Sequence, residues 1–246
     1  MNTQLKKLYA TFLDIKNRGY LKTMRQGSTG VGYTFEQLLG KKEDNLPFPD
    51  YNGIEIKTVV YYHKRIIHLF HLAPDGDYLF ATKIALEKLG HGGKNFYGNK
   101  ILNATINAKE YSRYGKNWIK LYVNWEKEKI ELLAHDLYGE KIELPVSWSF
   151  ESIKNILLIK LNKLAIVKAK KKVIDNCDYF LYNYIMFYDL KGFEEYMKLI
   201  EDGTVSIRFN IGIYKDGYNK GKIHDRGTNF FILEKDIEKL FTRIKN

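Results

Sequence analysis

The sequence predicts a mixed protein of the α/β or α+β class, and three observations carry that reading. Residues 3–17 place Leu5, Leu8, Phe12 and Ile15 at helical spacing. Runs such as "NWIKLYVNW" and "DYFLYNYIMFY" have the aromatic and β-branched content of strands. The two kinds of pattern follow one another along the chain with no internal repeat and no flexible linker.

After the helix at 3–17 comes a glycine-rich loop, "RQGSTGVGY". Thr34 with Gln37 three residues on fits a capping box, and Gly40 fits a stop, so a short helix is expected at 35–40 with Glu36 in its first turn. "RIIHLFHL" reads as a strand, "TKIALEKL" (82–89) as a helix, and 90–103 as a polar, glycine-bearing loop. "NWIKLYVNW" and "KIELLAHDL" read as two strands joined by a turn. "SFESIKNILLIKLNKL" is a periodic helix with Ser149 as its N-cap. "AIVKAKKKVI" and "DYFLYNYIMFY" follow as strands and "GFEEYMKLIED" as a helix. The C-terminal part holds two strand-like runs around a basic loop, then "EKDIEKLFTRI", expected as a closing helix.

Composition narrows the classes. A chain of 246 residues, 45% hydrophobic, buries a real core as one large domain or two modest lobes. An aromatic content of 15% with only four prolines excludes a low-complexity chain. No apolar run reaches the roughly 18 residues of a membrane span, and the charged N-terminus does not resemble a secretory signal. A single cysteine, Cys177, excludes an internal disulfide and a cysteine-rich zinc site, so a cytoplasmic protein is the simplest expectation. Forty Lys and Arg against twenty-nine Asp and Glu leave +11, a charge that favours polyanions such as nucleic acid. The alternative is positive charge that serves solubility alone.

The stretch "NLPFPDYNGIEIKT" (45–58) carries the chemistry. Asn52-Gly53 is a strong signal for a two-residue hairpin turn. That turn would set Tyr51 opposite Ile54 and Asp50 opposite Glu55, with opposed Cβ atoms about 5 Å apart. Strand alternation would then put Lys57 beside Glu55, while Ile54 and Ile56 face the core. Facing carboxylates either raise a pKa or bind a cation. Carboxylates, a carbonyl and waters suit Mg²⁺ better than zinc. A solvated hairpin with an ordinary Glu–Lys pair is the competing reading.

"PD" at 49–50 with "EIK" at 55–57 looks like the PD-(D/E)xK nuclease motif. The longer stretch "GSTGVGYTFEQLLGKKEDNLPFPDYNGIEIKT" resembles the MvaI/BcnI restriction endonucleases, themselves similar to the mismatch-repair nicking enzyme MutH. The resemblance continues through "WSFESIKNILLIKL" and "KGKIHDRGTNF". It implies a MutH-like restriction endonuclease fold, a mixed sheet flanked by helices, with two lobes forming a DNA-binding cleft. We place the catalytic lobe mainly in 1–170 and the recognition lobe mainly in 171–246. It implies a catalytic set of Asp50, Glu55, Lys57 and Glu36, although the helix dipole alone would explain an acid in a first turn. Mg²⁺ is expected on Asp50, Glu55 and the Ile56 carbonyl, with Mn²⁺ able to substitute and Ca²⁺ supporting binding without cleavage.

The resemblance further implies a monomer that nicks the two strands of double-stranded DNA in sequence. A cognate DNA methyltransferase would protect the host. "GSTGVG" lacks the ending of a nucleotide-binding loop; it is either a phosphate-approaching loop with Lys22, Arg25 and Thr29 nearby, or a plain turn. The histidines show no recurrent ligand spacing: His63, His68 and His71 are expected in core or surface roles, with His68 and His71 on opposite faces of a strand. His91 is a candidate DNA contact. Arg208, Asn210, Lys222, His224, Asp225 and Arg226 combine forked donors with acceptors suited to base edges, or else touch only phosphates. Here the chain departs from enzymes reading CC-W-GG: "RFNIG" stands for an Asp-x-Arg-x-Gly pattern, "HDRG" for "HDHG", and Phe231 for an Arg. A G·C-rich site of four or five base pairs, related to CCNGG or to GCGC, is the expectation. A MutH-like strand-selective nicking enzyme and a non-catalytic DNA-binding protein are the alternatives.

Overall fold

The computed structural model describes residues 2–41, 48–61, 66–92, 100–225 and 228–245. The chain forms two compact units, each assembled from separated stretches. One comprises Met1–Ile67, Ile156–Gly192 and Leu233–Asn246; the other comprises His68–Asn155 and Phe193–Ile232. This division replaces the single boundary expected near 170. Lys170 lies inside the strand Lys163–Ile174, which is paired along its length with Cys177–Leu190, so the chain cannot part there.

In the first unit the described residues form a five-stranded mixed sheet. Its order is Leu21–Lys22, Cys177–Leu190, Lys163–Ile174, Glu55–Val60, with Phe241–Ile244 also pairing with Cys177–Leu190. Glu55–Val60 runs parallel to its neighbour, Glu55 opposite Leu164, and lies at the end of the order. The helix Thr3–Asn17 presents Leu5, Leu8, Phe12 and Ile15 to the core as their spacing predicts, and Asn2 caps it by accepting from the Leu5 amide at 3.0 Å. These side chains pack with Ile54, Ile56, Val167, Phe180 and Phe187, the apolar alternates of three strands.

The second helix differs from the expectation. It spans Gly30–Leu38, beginning inside the glycine run, and Glu36 sits in its last turn instead of its first. Thr34 is no cap; it is buried within the helix and its hydroxyl accepts from the Met24 amide at 2.9 Å. The glycine at the helix start answers to space. A Cβ on Gly30 would stand 2.3 Å from the Arg25 carbonyl oxygen and 2.7 Å from the Thr23 hydroxyl. The Tyr182 hydroxyl donates to the Val31 carbonyl at 2.8 Å and fixes this helix to the sheet.

The expected closing helix is also corrected. Glu234–Asp236 is a 3₁₀ turn and Ile237–Leu240 a single helical turn, after which Phe241–Ile244 becomes a strand against Phe187–Leu190. Buried Phe241 and the ladder outweigh the helical pattern of the preceding residues.

In the second unit, the described residues form a six-stranded sheet ordered Ile66–His71, Asn229–Leu233, Val205–Ile213, Lys100–Ile106, His91–Gly92, with Ile223–Asp225 also on Val205–Ile213. Residues 100–103, expected in a loop, belong to one of its strands; 93–99 lie outside the described residues. A four-stranded antiparallel sheet orders Ser112–Tyr114, Asn117–Asn124, Lys129–Asp136 and Ser147–Ser149. The predicted pair 117–124 and 129–136 is there, and the Ser149 hydroxyl accepts from the Ser152 amide at 3.2 Å, as an N-cap does at the start of Phe150–Leu161. The helices Tyr78–Leu89 and Phe193–Glu201 complete the unit.

Because the Gly30 contact is with backbone, Gly30→Ala is expected to cost about 1–3 kcal/mol, the usual effect of overpacking. Urea unfolding checks this: the midpoint falls with little change in slope. An unchanged midpoint would mean that residues 23–25 give way freely.

Candidate active site

The Asn-Gly turn forms as the sequence predicts. Asn52 has φ 45° and Gly53 φ 83°, both left-handed, and Tyr51 and Ile54 exchange backbone hydrogen bonds of 3.0 and 2.9 Å. The ladder stops there, so Asp50 and Glu55 are not a cross-strand pair as expected. From Glu55 onward the strand pairs with Leu164–Ala169 instead. Asp50 reaches forward: its Oδ2 accepts from the Ile56 amide at 2.9 Å, and its Oδ1 pairs with Lys41 Nζ at 2.5 Å.

Glu55 is 1% exposed, held down by the ladder and by Ile54 and Ile56, which face the core on either side of it. Its Oε1 takes Lys57 Nζ at 2.6 Å and lies 3.6 Å from Lys160 Nζ. Its Oε2 is buried and has no hydrogen-bond partner. Burial pushes the Glu55 carboxyl above its ordinary pKa; Lys57 and Lys160 oppose the shift and Asp50 adds to it. Glu36 is also pushed up, first by burial and then by Asp50, with Glu55 adding and Lys41 and Lys57 opposing. Three carboxylates thus share one electrostatic neighbourhood with three lysines.

This donor set fits a hard divalent cation. Among the described residues Glu55 Oε2 has no hydrogen-bond partner, and the mutual repulsion of Glu36, Asp50 and Glu55 is what a cation would relieve. Among the described residues no three His, Cys, Asp or Glu side chains are already gathered as a ligand set, because Asp50 and Glu55 each turn an oxygen toward a lysine. Ile56, the expected carbonyl ligand, lies between them and is bonded to Asp50 through its amide. Lys41 and Lys160 escaped sequence reasoning. Both look like ordinary helix-end charges, and only the fold brings them to the carboxylates.

The other candidates separate. Lys22 is exposed on its short strand opposite Tyr179, Thr29 is exposed just before the helix, and the Arg25 guanidinium lies 3.7 Å from the Tyr33 ring centroid. In the second unit His91 is exposed and packs against Tyr114 at 4.8 Å between ring centroids. On Val205–Ile213, alternation buries Ile207, Phe209 and Ile211 and turns Arg208 and Asn210 to the opposite face. His224, opposite Gly212, shares that face, and its ring sits 4.2 Å from Tyr214. Asp225, opposite Ile211, belongs to the other face and accepts from the Thr228 hydroxyl at 3.5 Å. Lys222 donates to the Asn219 side chain at 3.2 Å. Arg226 and His63 lie outside the described residues. His68 and His71, expected to diverge, both reach Asn229, at 2.9 and 3.1 Å. Sequence reasoning missed Asn103 and Thr105, exposed partners of Asn210 and Arg208 across the ladder.

Comparison with known proteins gives a consistent answer. The sequence model of the MvaI/BcnI restriction endonuclease family matches residues 9–241. Restriction endonuclease MvaI in complex with its cognate DNA substrate is similar at a TM-score of 0.89 and 31% identity, covering 99% of this chain and 98% of that one. MvaI in the absence of DNA is similar at a TM-score of 0.63, with the same identity and coverage. No curated protein sequence gives a significant match.

The raised Glu36 pKa has a testable sign. The native state then favours the protonated form, so this group supports folding below its ordinary value near 4.5, and that support is lost as pH rises through the native pKa. At pH 8 the charged form is a burden that Glu36→Gln removes. The metal-free variant should melt above the parent at pH 8, and the gap should close toward pH 4. An equal or lower melting temperature at pH 8 would contradict this account.

Proposed function

The chain belongs to the MvaI/BcnI restriction endonuclease family, and on that premise we propose that it is a type II enzyme hydrolysing double-stranded DNA with Mg²⁺ at a PD-(D/E)xK site. The observation that carries the metal-dependent chemistry is the buried, half-orphaned Glu55 beside Asp50, Glu36 and Lys57. Asp50, Glu55 and the Ile56 carbonyl would hold Mg²⁺, with Mn²⁺ an effective substitute and Ca²⁺ a support for binding alone. When bound, the ion lowers the pKa of water and offsets charge on the scissile phosphate.

The chain's own groups do the rest. Lys57, now 2.6 Å from Glu55, carries the ammonium that orients the attacking water or stabilises charge developing on the phosphate oxygens. Lys41 holds one Asp50 oxygen while the Ile56 amide holds the other, which fixes the carboxylate. Glu36 positions Lys57 or supports a second ion. Water adds to phosphorus, the P–O bond breaks, and the leaving oxygen takes up a proton.

We assign catalysis to the unit containing Glu55 and base reading to the unit containing Arg208. The net charge of +11 serves encounter with the phosphate backbone. The protein would act as a monomer, nicking the strands in turn at a G·C-rich site of four or five base pairs resembling CCNGG or GCGC. A cognate methyltransferase would protect host DNA.

Purified protein incubated with a sequenced plasmid in Mg²⁺ should give discrete double-strand cuts at one short motif. Nicked circles that never become linear, or intact plasmid across divalent metals, would overturn the restriction reading. Lys57→Ala should keep specific binding while cleavage falls by about 10²–10³. Parental cleavage rates in that variant would remove the lysine from the chemistry. The affinity for nonspecific duplex should fall with salt at a log–log slope near −0.9 per phosphate contact, and a flat slope would detach the positive charge from DNA.

A further inference from the structure

Arg208 has a neighbour on each side. Its Nε donates to the Thr105 hydroxyl at 3.4 Å, across the ladder that sets Arg208 opposite Thr105. Its guanidinium carbon lies 5.5 Å from the ring centroid of Phe231, one of the residues that depart from the family pattern. Phe231 is itself 7% exposed and flanked by His68, whose Nδ1 is 2.9 Å from Asn229 Oδ1. Arg208 therefore stands between a hydrogen-bond acceptor on one neighbouring strand and an aromatic ring on the other.

A guanidinium offers two forked edges for bidentate recognition: the side edge with Nε and one terminal nitrogen, and the end with both terminal nitrogens. Thr105 occupies Nε, so the end remains for a ligand. Two terminal N–H groups match O6 and N7 of guanine in the major groove. A side chain already held in the reading pose also loses less conformational freedom on binding.

We propose that Thr105 is a positioning residue for base reading, which together with Phe231 turns Arg208 end-on toward a single guanine. This rests on the reading of the chain as a sequence-specific DNA endonuclease. Phe231 thus has a role in place of the arginine expected there: it supplies the surface on which a differently placed arginine rests.

The test uses the full chain in EDTA, short duplexes bearing the motif mapped on the plasmid, and every single base-pair substitution of that motif. Arg208→Lys, which keeps the charge and loses the fork, should lose about 10–100-fold of discrimination at one G·C pair. Thr105→Val, which keeps the shape and loses the acceptor, should lose discrimination at that same pair and at no other. Thr105→Ser should restore it. The salt slope should stay unchanged in Thr105→Val, since no phosphate contact is removed. A parental profile in Thr105→Val, a loss at a different pair, or a loss spread evenly over all positions would overturn the proposal. A clear motif with Arg208→Lys reading it normally would overturn it too, leaving the endonuclease reading intact. Absence of any motif in the plasmid map would sink both.

Discussion

A buried carboxylate organises the electrostatics of the first unit. Glu55 is set by its parallel ladder with Leu164 and by two core isoleucines on either side of it, and its side chain is buried. Burying a charge is costly unless it is paired and hydrogen-bonded. Lys57 and Lys160 both address one oxygen, while the other has no partner. Asp50 and Glu36 add charge of the same sign. Because the Glu55 pKa remains raised despite two lysines, compensation from the protein alone is incomplete. The same deficit is what a divalent cation would relieve under the proposed function.

The second unit solves a different problem with the same strand geometry. Ile207, Phe209 and Ile211 build the core, while Arg208 and Asn210, between them, face away from it. Residues on the polar face can change without disturbing the packing beneath. The polar face of such a strand is thus free to vary while a structural likeness at a TM-score of 0.89 persists. The hairpin at Asn52-Gly53 has no comparable freedom, since Glu55 lies between core residues.

What was legible in the sequence was local. The Asn-Gly turn, the helix at 3–17 and the Ser149 cap are each specified by contiguous residues, and each forms as read. Lys57 beside Glu55 followed from strand alternation alone. The failures are all nonlocal. Gly30 looked like loop because its reason for being glycine, the crossing of residues 23–25, lies outside its own segment. Phe241–Ile244 looked helical because its ladder partner stands far off in sequence at Phe187–Leu190. Asp50 was expected to oppose Glu55, but the strand's partner is Leu164–Ala169, so the carboxylate bends to the Ile56 amide. Lys41 and Lys160 carried no signal in their own segments for the same reason.

Charge and geometry divide the work of recognising a polyanion. Lysines on exposed strand ends, such as Lys172 with Nζ 4.1 Å from the Tyr20 ring centroid, supply field and little orientation. An ammonium on a flexible stem gains from any nearby phosphate, whatever the base sequence. A reading group must instead hold its direction when nothing is bound. Under the proposal, Arg208 would meet that demand through the Thr105 hydroxyl and the Phe231 ring, both carried on paired strands whose register cannot slip without exposing their apolar alternates. On the proposed reading, the hydrophobic core beneath the sheet would be the source of specificity above it: it fixes register, register sets the neighbours of Arg208, and those neighbours would orient the fork.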